Sequence, residues 1–210
     1  MGRRSVHTSE ELRELILEAT TEIVTQSGYS AVSAREIARR INYSPGTLYN
    51  VFDNLDDLVL TIEGRLLDRL LIALDEVPET ATPSERVHKF ADCYLKFTCD
   101  NPKLWNLLLE HHLPPNQSVP VWYQQKLELL LGRVEDVLDP VLRGAETAAL
   151  RRSARVLWAS VHGITSLATT EKLSSISTDT AASMLHDLVT RYLAGVETIR
   201  EHEGSPAIAS

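Results

Sequence analysis

Helical periodicity is the feature that most constrains the fold of this chain. Near the N-terminus, apolar residues recur at Leu12, Leu15, Ile16, Ala19 and Ile23, a spacing that places them on one face of an α-helix. The same period runs through the segments 84–99, 102–113, 119–140, 147–173 and 178–201. No segment alternates as a β-strand does, and no internal repeat stands out. The sequence therefore predicts an all-α fold.

The composition is that of a folded protein without a membrane span. The chain has 210 residues, of which 43% are apolar, enough to bury a core. It contains no run of about 18 apolar residues, and no apolar signal segment follows Arg3 and Arg4, so we expect a cytoplasmic protein with no membrane partner. Cys93 and Cys99 fit neither a CxxC pair nor a metal-ligand pattern. We therefore expect reduced core cysteines, no metal and no cofactor.

The charge is distributed unevenly along the chain. The net charge is −8, yet residues 1–50 hold six arginines against six acidic residues, so the remaining 160 residues carry the whole deficit. Such a split also arises by chance. The overall charge argues against indiscriminate binding of polyanions, and the neutral N-terminal end permits a surface that faces DNA.

The local sequence predicts both ends of the first helix. Thr8 is followed three residues later by Glu11, which is a capping-box pattern. Gly28 supplies a residue able to end the helix in a left-handed conformation. We therefore predict a helix from Thr8 to Ser27.

Two short helices with their own caps follow. Ser33 with Glu36 opens a helix that runs out at Asn42, the residue that best replaces glycine at positive φ. Ser44 then has the character of an N-cap, with Pro45 at the first position of a third helix. Two short helices joined by about three residues predict a helix-turn-helix, which presents its second helix outward.

Residues 33–52, SAREIARRINYSPGTLYNVF, resemble the TetR family of transcription regulators. The family pattern is matched here by Ile37-Ala38, Ser44, Gly46-Thr47-Leu48-Tyr49 and Phe52, and the resemblance covers roughly residues 9–60. It implies a three-helix helix-turn-helix DNA-binding domain joined to a larger helical domain for ligand binding and dimerisation. It also implies a regulator, most simply a repressor, that binds a palindromic operator as a homodimer and is released by a small-molecule effector.

The third helix offers most of the candidate DNA contacts. Leu48 and Phe52 form its buried stripe, and Asn50 lies where the family often reads a base. Asn pairs bidentately with adenine, although a solvated residue at the helix end is the alternative. The resemblance assigns Thr47 and Tyr49 mainly to phosphates. The candidate set in this region is Tyr43, Ser44, Pro45, Gly46, Thr47, Tyr49 and Asn50.

Further candidates lie outside the third helix. Ser33 and Arg35, at the start of the second helix, suit phosphate contact. Arg3 and Arg4 suit a flexible arm that reaches the minor groove or the DNA backbone, and a disordered solubilising end is the alternative.

The chain departs from the family pattern at two places. The turn has Ile41-Asn42-Tyr43 where Ala-Gly-Val is common, and Leu55 replaces a lysine that frequently helps to hold a phosphate. Three acidic residues, Asp53, Asp56 and Asp57, lie nearby. Because phosphate neutralisation supplies much of the affinity for DNA, we expect weaker binding or a greater dependence on Arg35 and the N-terminal arm.

A long helix separates the two predicted domains. Asn54 with Asp57 caps a leucine-rich helix from Leu58 to about Val77, and Pro78 marks its end. The predicted organisation is a helix-turn-helix domain at 1–54, a connecting helix at 55–78, a ligand-binding and dimerisation domain at 79–203 and a disordered tail at 204–210.

Two helices near the C-terminus suit the four-helix bundle through which TetR-like proteins pair. The small residues Ala159, Ser160 and Gly163 would let a partner helix approach closely, and an intramolecular bundle is the alternative. The apolar faces predicted for this role are Leu150, Ala154, Leu157, Val161, Ile164, Leu167 and Ala168 in 147–173, and Met184, Leu185, Leu188, Val189, Tyr192, Leu193 and Val196 in 178–201.

Aromatic and histidine residues supply the candidate ligand contacts. LWASVHGITSL resembles a TetR C-terminal subfamily marked by Trp158, His162 and Gly163. Trp158 and His162 lie four residues apart on one helical face, where they would cap a ligand cavity, and a structural, hydrogen-bonded role is the alternative for His162. The candidates for lining a cavity near the PPNQ break are Trp105, His111, Trp122 and Tyr123, with core packing as the alternative.

Two other classes of function are alternatives to a regulator. An all-helical enzyme is disfavoured because no nucleophile elbow, phosphate loop, zinc signature or paired-carboxylate motif is present. The adjacent histidines of Glu110-His111-His112 point to different sides of a helix and so do not suit zinc. A helical protein-interaction module with degenerate DNA binding is the second alternative, favoured by Leu55 and the acidic residues around it.

Overall fold

The computed structural model describes residues 7–203, except for the side chains of residue 197 and residues 199–203. Over this range the all-α prediction is confirmed. The α-helices are α1 (Ser9–Ser27), α2 (Ala34–Ile41), α3 (Leu55–Asp75), α4 (Pro83–Asp100), α5 (Pro102–Glu110), α6 (Val121–Leu142), α7 (Thr147–Thr169) and α8 (Ala181–Glu203). Short 3₁₀ helices span Tyr29–Ala31, Pro45–Asn50 and Leu173–Ser175. The predicted arm of Arg3 and Arg4 and the predicted tail at 204–210 lie outside the described residues.

The predicted N-caps of the first two helices are confirmed, as is the left-handed end of α2. Gly28 ends α1 at a positive φ of 83°, but its ψ of 174° lies outside the left-handed helical region. The Thr8 hydroxyl accepts a hydrogen bond from the Glu11 N–H, and the Glu11 carboxylate accepts one from the Thr8 N–H at 2.7 Å. Ser33 Oγ accepts from the Glu36 N–H at 3.2 Å. Asn42 ends α2 in the left-handed conformation, with φ of 58°. These bonds satisfy backbone groups that the ends of a helix leave unpaired.

The predicted third helix is a 3₁₀ helix of six residues, Pro45–Asn50. The Thr47 N–H donates to the Ser44 carbonyl three residues back at 2.9 Å, which is the 3₁₀ pattern. A segment of six residues that contains Pro45 and Gly46 is too short to gain much from α-helical hydrogen bonds. Packing of its apolar side chains therefore determines its conformation.

Several helix ends differ from the sequence prediction. Helix α3 begins at Leu55 rather than Leu58, because Asn54 Oδ1 accepts from the Asp57 N–H at 2.8 Å and so caps the first turn. Helix α5 ends at Glu110 rather than at residue 113, where Leu113 precedes a proline and is driven from helical angles. Helix α6 continues to Leu142 through Pro140, which falls in its last turn and removes little hydrogen bonding.

The described residues form two compact units. The first comprises residues up to Asp68 together with Asn101–Gln124. Within it α1 packs on α2 and on α5, and α2 packs on the Pro45–Asn50 3₁₀ helix. Fully buried side chains from these elements, such as Ile16, Ile37 and Trp105, form its core. Burial of each large apolar side chain contributes about 1.5–3 kcal/mol.

The second unit comprises Arg69–Asp100 and the described residues from Gln125 onward. Helices α4, α7 and α8 pack on one another in this unit. Its core includes Val87, Leu130, Leu157, Leu185 and Val189. The segment Asn101–Gln124 was assigned by sequence to the domain at 79–203, whereas in the structure it groups with the first unit, because α5 packs against α1.

Candidate functional site

The turn between α2 and the Pro45–Asn50 3₁₀ helix is held by short-range hydrogen bonds. The Tyr43 N–H donates to the Ala38 carbonyl at 2.9 Å. The Ser44 hydroxyl lies 3.0 Å from the Thr47 hydroxyl. Thr47 is thereby tied to the start of the 3₁₀ helix, and both hydroxyl groups remain partly accessible to solvent.

The 3₁₀ helix buries one side and exposes the other. Leu48 and Phe52 are 2% and 3% exposed, as the predicted stripe requires. Tyr49 is 55% exposed, and Pro45 and Asn50 are exposed as well. The arrangement offers Tyr49 and Asn50 to an external surface.

The basic side chains of α2 differ in their availability. Glu36 accepts from Arg39 Nε at 2.8 Å and from Arg40 Nε at 3.1 Å. These hydrogen bonds lower the pKa of Glu36 to about 2. Arg40 also donates to the Gln26 side chain at 2.9 Å. Arg35 is exposed and forms no ion pair with any described residue, so it is the most available cation of this helix.

His7, which precedes the Thr8 N-cap of α1, contacts the turn. His7 Nδ1 lies 2.7 Å from the Tyr43 hydroxyl oxygen, and the two rings are 6.0 Å apart. Tyr43 is one of the residues predicted from the sequence to contact DNA. In the structure the ring is half-buried and its hydroxyl is engaged by His7.

Arg13 is a positioning residue that the sequence analysis missed. Its guanidinium lies 4.3 Å from the centre of the Phe52 ring, and its Nη1 donates to the Val51 carbonyl at 3.1 Å. Cation–π contact and a hydrogen bond together fix the end of the 3₁₀ helix against α1. Its only signal in the sequence is an arginine within an amphipathic helix, which did not distinguish it from solvated arginines.

The acidic residues after Phe52 are partly used in capping. The Asp57 carboxylate accepts from the Asp53 N–H at 3.1 Å. Asp56 and Asp57 lie in the first turn of α3, where negative charge is favourable because of the helix dipole. Leu55 is half-buried at the first position of α3.

His111 belongs to a buried polar cluster in the first unit. Its Nδ1 lies 2.8 Å from Glu63 Oε1, and its Nε2 lies 3.2 Å from Asp56 Oδ1. Burial alone would lower the pKa of His111, but the two carboxylates outweigh it and the pKa is raised. Tyr29 packs edge-on against the ring at 5.8 Å. These contacts are structural, and the predicted ligand contact of His111 stays a prediction.

Three other ligand candidates also lie in the first unit. Trp105 is 1% exposed and is a core residue of α5. Tyr123 is buried, and Trp122 is 38% exposed with its ring edge on Tyr123 at 5.7 Å. Trp105, Trp122 and Tyr123 therefore belong to the first unit, whereas Trp158 and His162 belong to the second.

The second unit contains a narrow apolar cavity. Residues of α3, α4, α6 and α7 line it, among them Leu74, Phe90, Leu130 and Trp158, and its free volume is about 30 Å³. His162 stacks on Trp158, with ring centres 5.0 Å apart and planes inclined by 18°. The structure thus places Trp158 at the cavity wall, with His162 behind it.

Much of the apolar surface of α7 and α8 that was predicted to pair with a partner subunit is buried inside the second unit. Ala154, Leu157 and Val161 are buried within the second unit, as are Leu185, Val189 and Leu193. They pack these helices against their own unit and are not free for a partner. The exposed positions of α7 include Val156, which is 49% exposed, Ala159 and Gly163.

Among residues 7–203, none of the helices is long and apolar enough to cross a membrane. Within the same residues, no three His, Cys, Asp or Glu side chains are placed to hold a metal ion. His112 Nδ1 instead lies 2.9 Å from the Glu110 carbonyl oxygen.

Two family models match the chain. Residues 16–62 match the model described as bacterial regulatory proteins, tetR family. Residues 87–192, half of the chain, match the tetracyclin repressor-like C-terminal domain. The latter is described without reference to a Trp-His-Gly subfamily, and that finer resemblance stays a prediction.

Two curated relatives are helix-turn-helix transcriptional regulators. One, from Bacillus subtilis, is 36% identical over 86 residues, which are 40% of this chain and 45% of the relative. The other, from Mycobacterium tuberculosis, is 24% identical over 193 residues, which are 92% of this chain and 85% of the relative. The chain thus spans less than half of the first relative and most of the second.

Solved structures share the fold. A protein from a Rhodococcus species is 20% identical with a TM-score of 0.69, covering 92% of this chain and 98% of that protein. The regulator FadR from Bacillus subtilis, solved in complex with stearoyl-CoA, is 15% identical with a TM-score of 0.63, covering 87% of this chain and 98% of that protein.

Proposed function

Because the chain belongs to the tetR family of bacterial transcription regulators, we propose that it represses transcription as a homodimer on a palindromic operator and is released by a small molecule. The matched models and relatives are regulators of transcription, and we propose regulation in the bacterial cytoplasm, not catalysis. The observation that carries the proposal is the exposed side of the 3₁₀ helix, where Tyr49 and Asn50 face outward above buried Leu48.

The proposed DNA contacts divide into positioning and reading. Tyr49 and Thr47 would bind phosphates through their hydroxyl groups, as would Ser33 and Arg35 at the start of α2. Asn50 would read a base through a bidentate pair with adenine. Phosphate contacts change affinity uniformly, whereas base contacts change sequence preference.

The proposed dimer uses α7 and α8. Outward on α7, Val156 leaves apolar surface exposed and Gly163 leaves room for close approach, because a Cβ at that glycine would meet no atom within 4 Å. Two-fold symmetry would place two reading surfaces on half-sites about one turn of DNA apart, or a multiple of it.

The proposed effector site is the apolar cavity of the second unit. A neighbour in fold, FadR, has been solved with stearoyl-CoA, and an apolar lining with a few polar groups is typical of ligand sites. A ligand that binds one conformation of the dimer better than another would shift the spacing of the reading surfaces and weaken operator binding.

Operator binding is tested with DNA from upstream of the chain's own gene. A gel shift in the presence of excess unrelated duplex separates specific from general binding, and repetition over a range of salt concentrations gives the number of phosphates contacted. We expect a discrete complex that survives competitor DNA. If unrelated competitor DNA displaced the protein as effectively as unlabelled upstream DNA, the proposal would be contradicted.

A second candidate function is a helical protein-interaction module whose DNA binding is degenerate. It is favoured by Leu55 and by the pairing of Arg39 and Arg40 with Glu36, since both reduce the positive charge available for phosphates. Absence of any specific complex in the gel shift would favour it.

A further inference from the structure

The apolar cavity of the second unit has one polar corner. Tyr94 Oη lies 2.8 Å from His162 Nδ1, and the Trp158 indole stacks on the same histidine. The buried Trp158 Nε1–H makes no hydrogen bond of good geometry. It lies near the Tyr94 side chain, where its contact opposes only in part the rise in the pKa of Tyr94 that burial causes. A buried N–H without an acceptor costs free energy of desolvation. The Trp158 N–H at this corner of the cavity therefore lacks a well-placed hydrogen-bond acceptor.

The corner and the cavity wall carry no positive charge. Burial lowers the pKa of His162, so its ring is neutral near pH 7. Burial raises the pKa of Tyr94, which keeps its proton. Each residue that lines the cavity is uncharged. A carboxylate placed here would lose its hydration without gaining a cation, whereas a neutral carbonyl oxygen needs only one donor.

The size of the cavity restricts the ligand further. Its free volume is about 30 Å³, against about 150 Å³ for a protein cavity that takes benzene. A ligand therefore enters only when lining side chains such as Phe90 and Trp158 move. Each displaced side chain costs packing energy, so a compact molecule is favoured over an extended one.

We propose that the effector is an uncharged, compact, apolar molecule with one hydrogen-bond acceptor, such as a ketone or ester oxygen, which accepts from the Trp158 N–H. A carboxylate of the same shape is excluded from the site. The inference rests on the proposed ligand-responsive function and specifies the class of ligand at the same cavity.

Three probes of similar shape test the ligand class by calorimetry on the full chain. Acetophenone is neutral and has one acceptor, benzoate is an anion, and ethylbenzene has no acceptor. We expect acetophenone to bind at least about tenfold more tightly than benzoate, because the anion has no counter-charge in the cavity. Equal or tighter binding of benzoate, or no binding of acetophenone at its solubility limit, would overturn the proposal.

Trp158→Phe tests the donor. This variant removes the indole N–H and keeps an aromatic ring, so acetophenone should bind up to about tenfold more weakly, the effect of one hydrogen bond. Ethylbenzene is the internal control, and its affinity should change less than about twofold. Equal losses for both probes would show that the indole contributes only shape, and would overturn the assigned role of its N–H.

Ala91→Phe and Val134→Phe test the location, since each adds an aromatic ring at the cavity wall. Either variant that retains the helical circular dichroism of the wild type should bind neither acetophenone nor ethylbenzene. Retained binding would place the probes elsewhere and overturn the proposal.

Operator binding is measured separately, so that the two claims fail independently. If acetophenone binds as expected and the gel shift is unchanged by it, the ligand class stands and effector release fails. If the operator complex forms but acetophenone does not bind, the ligand class fails and DNA binding stands.

Discussion

His7 Nδ1 and the Tyr43 hydroxyl oxygen are 2.7 Å apart, which joins the residue just before α1 to the turn of the helix-turn-helix. The two residues are separated by 36 positions in the sequence. The contact holds His7 at the turn, and the proposed DNA-binding arm, with Arg3 and Arg4, comes before His7 in the sequence. We therefore expect the contribution of that arm to DNA binding to depend on the Tyr43 side chain.

Tyr43→Phe should weaken the contribution of the arm without unfolding the protein. The variant removes the hydroxyl that meets His7 and keeps the ring. If the arm binds phosphates through its two arginines, the slope of log affinity against log salt should fall by up to about 2 units, because each phosphate contact contributes about 0.9. Fluorescence anisotropy over a salt series measures it. Tyr29→Phe, elsewhere in the same unit, is the control, and an unchanged slope in Tyr43→Phe would show that the arm acts independently of this contact.

Glu36→Gln should raise the affinity for non-specific DNA. The lowered pKa of Glu36 keeps it ionised at neutral pH, where it pairs with Arg39 and Arg40. The amide carries no charge, so both arginines become more available to phosphates, and the salt slope should rise by about 1 unit. Exposed ion pairs of this kind contribute little to folding because water and salt screen them, so stability should change little. Glu18→Gln on α1 makes the same change of charge as a control; equal effects of the two variants would refute a specific role for Glu36.

His111 should make stability depend on pH. Its pKa in the folded protein is raised by Glu63 and Asp56, which outweigh the effect of burial. A raised pKa stabilises the fold fully below the unfolded value, about 6.5, and this stabilisation is lost as pH rises through the folded value. Urea unfolding across pH 5.5–8.5 should therefore show the difference between wild type and His111→Asn to be largest at the acid end. His112→Asn, at an exposed position, should show no such trend, and a difference that grows with pH would contradict the assignment.

Gly163→Arg should separate the proposed dimer into monomers. A side chain at this position meets open space within the protomer, and arginine forms helix better than glycine, so the fold should remain intact. The bulky charged side chain would instead oppose a partner helix at the outward face of α7. Light scattering after gel filtration gives the mass. Gly132→Arg on α6, also in open space, is the control, and a dimer that persists in Gly163→Arg would move the interface away from this face.

Local chemistry allowed the sequence to predict the N-caps and the buried and exposed sides of the Pro45–Asn50 segment. Thr8, Ser33 and Asn42 have roles set by neighbours within four residues. The burial of Leu48 and the exposure of Tyr49 follow from the same short segment. Such features depend on a few neighbouring residues, so they can be predicted from one sequence alone.

Contacts between distant residues could not be predicted in this way. His111 meets Glu63 and Asp56 across 48 and 55 positions, and nothing near His111 indicates those carboxylates. The pairing faces of α7 and α8 were misjudged for a related reason. Both a core face and a partner face are apolar with the same period, and only the packed structure shows that Leu157 and Val189 belong to the core.

The most direct test of the account is the affinity of Tyr49→Ala for the operator fragment, measured by anisotropy beside wild type and Trp122→Ala. Tyr49 and Trp122 are both exposed aromatic residues of the first unit, 55% and 38% exposed. Trp122→Ala is therefore a matched control for the loss of an exposed aromatic side chain. We predict at least about a tenfold loss for Tyr49→Ala, the scale of a lost hydrogen bond to a charged phosphate, and no loss for Trp122→Ala. Equal affinity of wild type and Tyr49→Ala would contradict the claim that the Pro45–Asn50 helix faces the duplex.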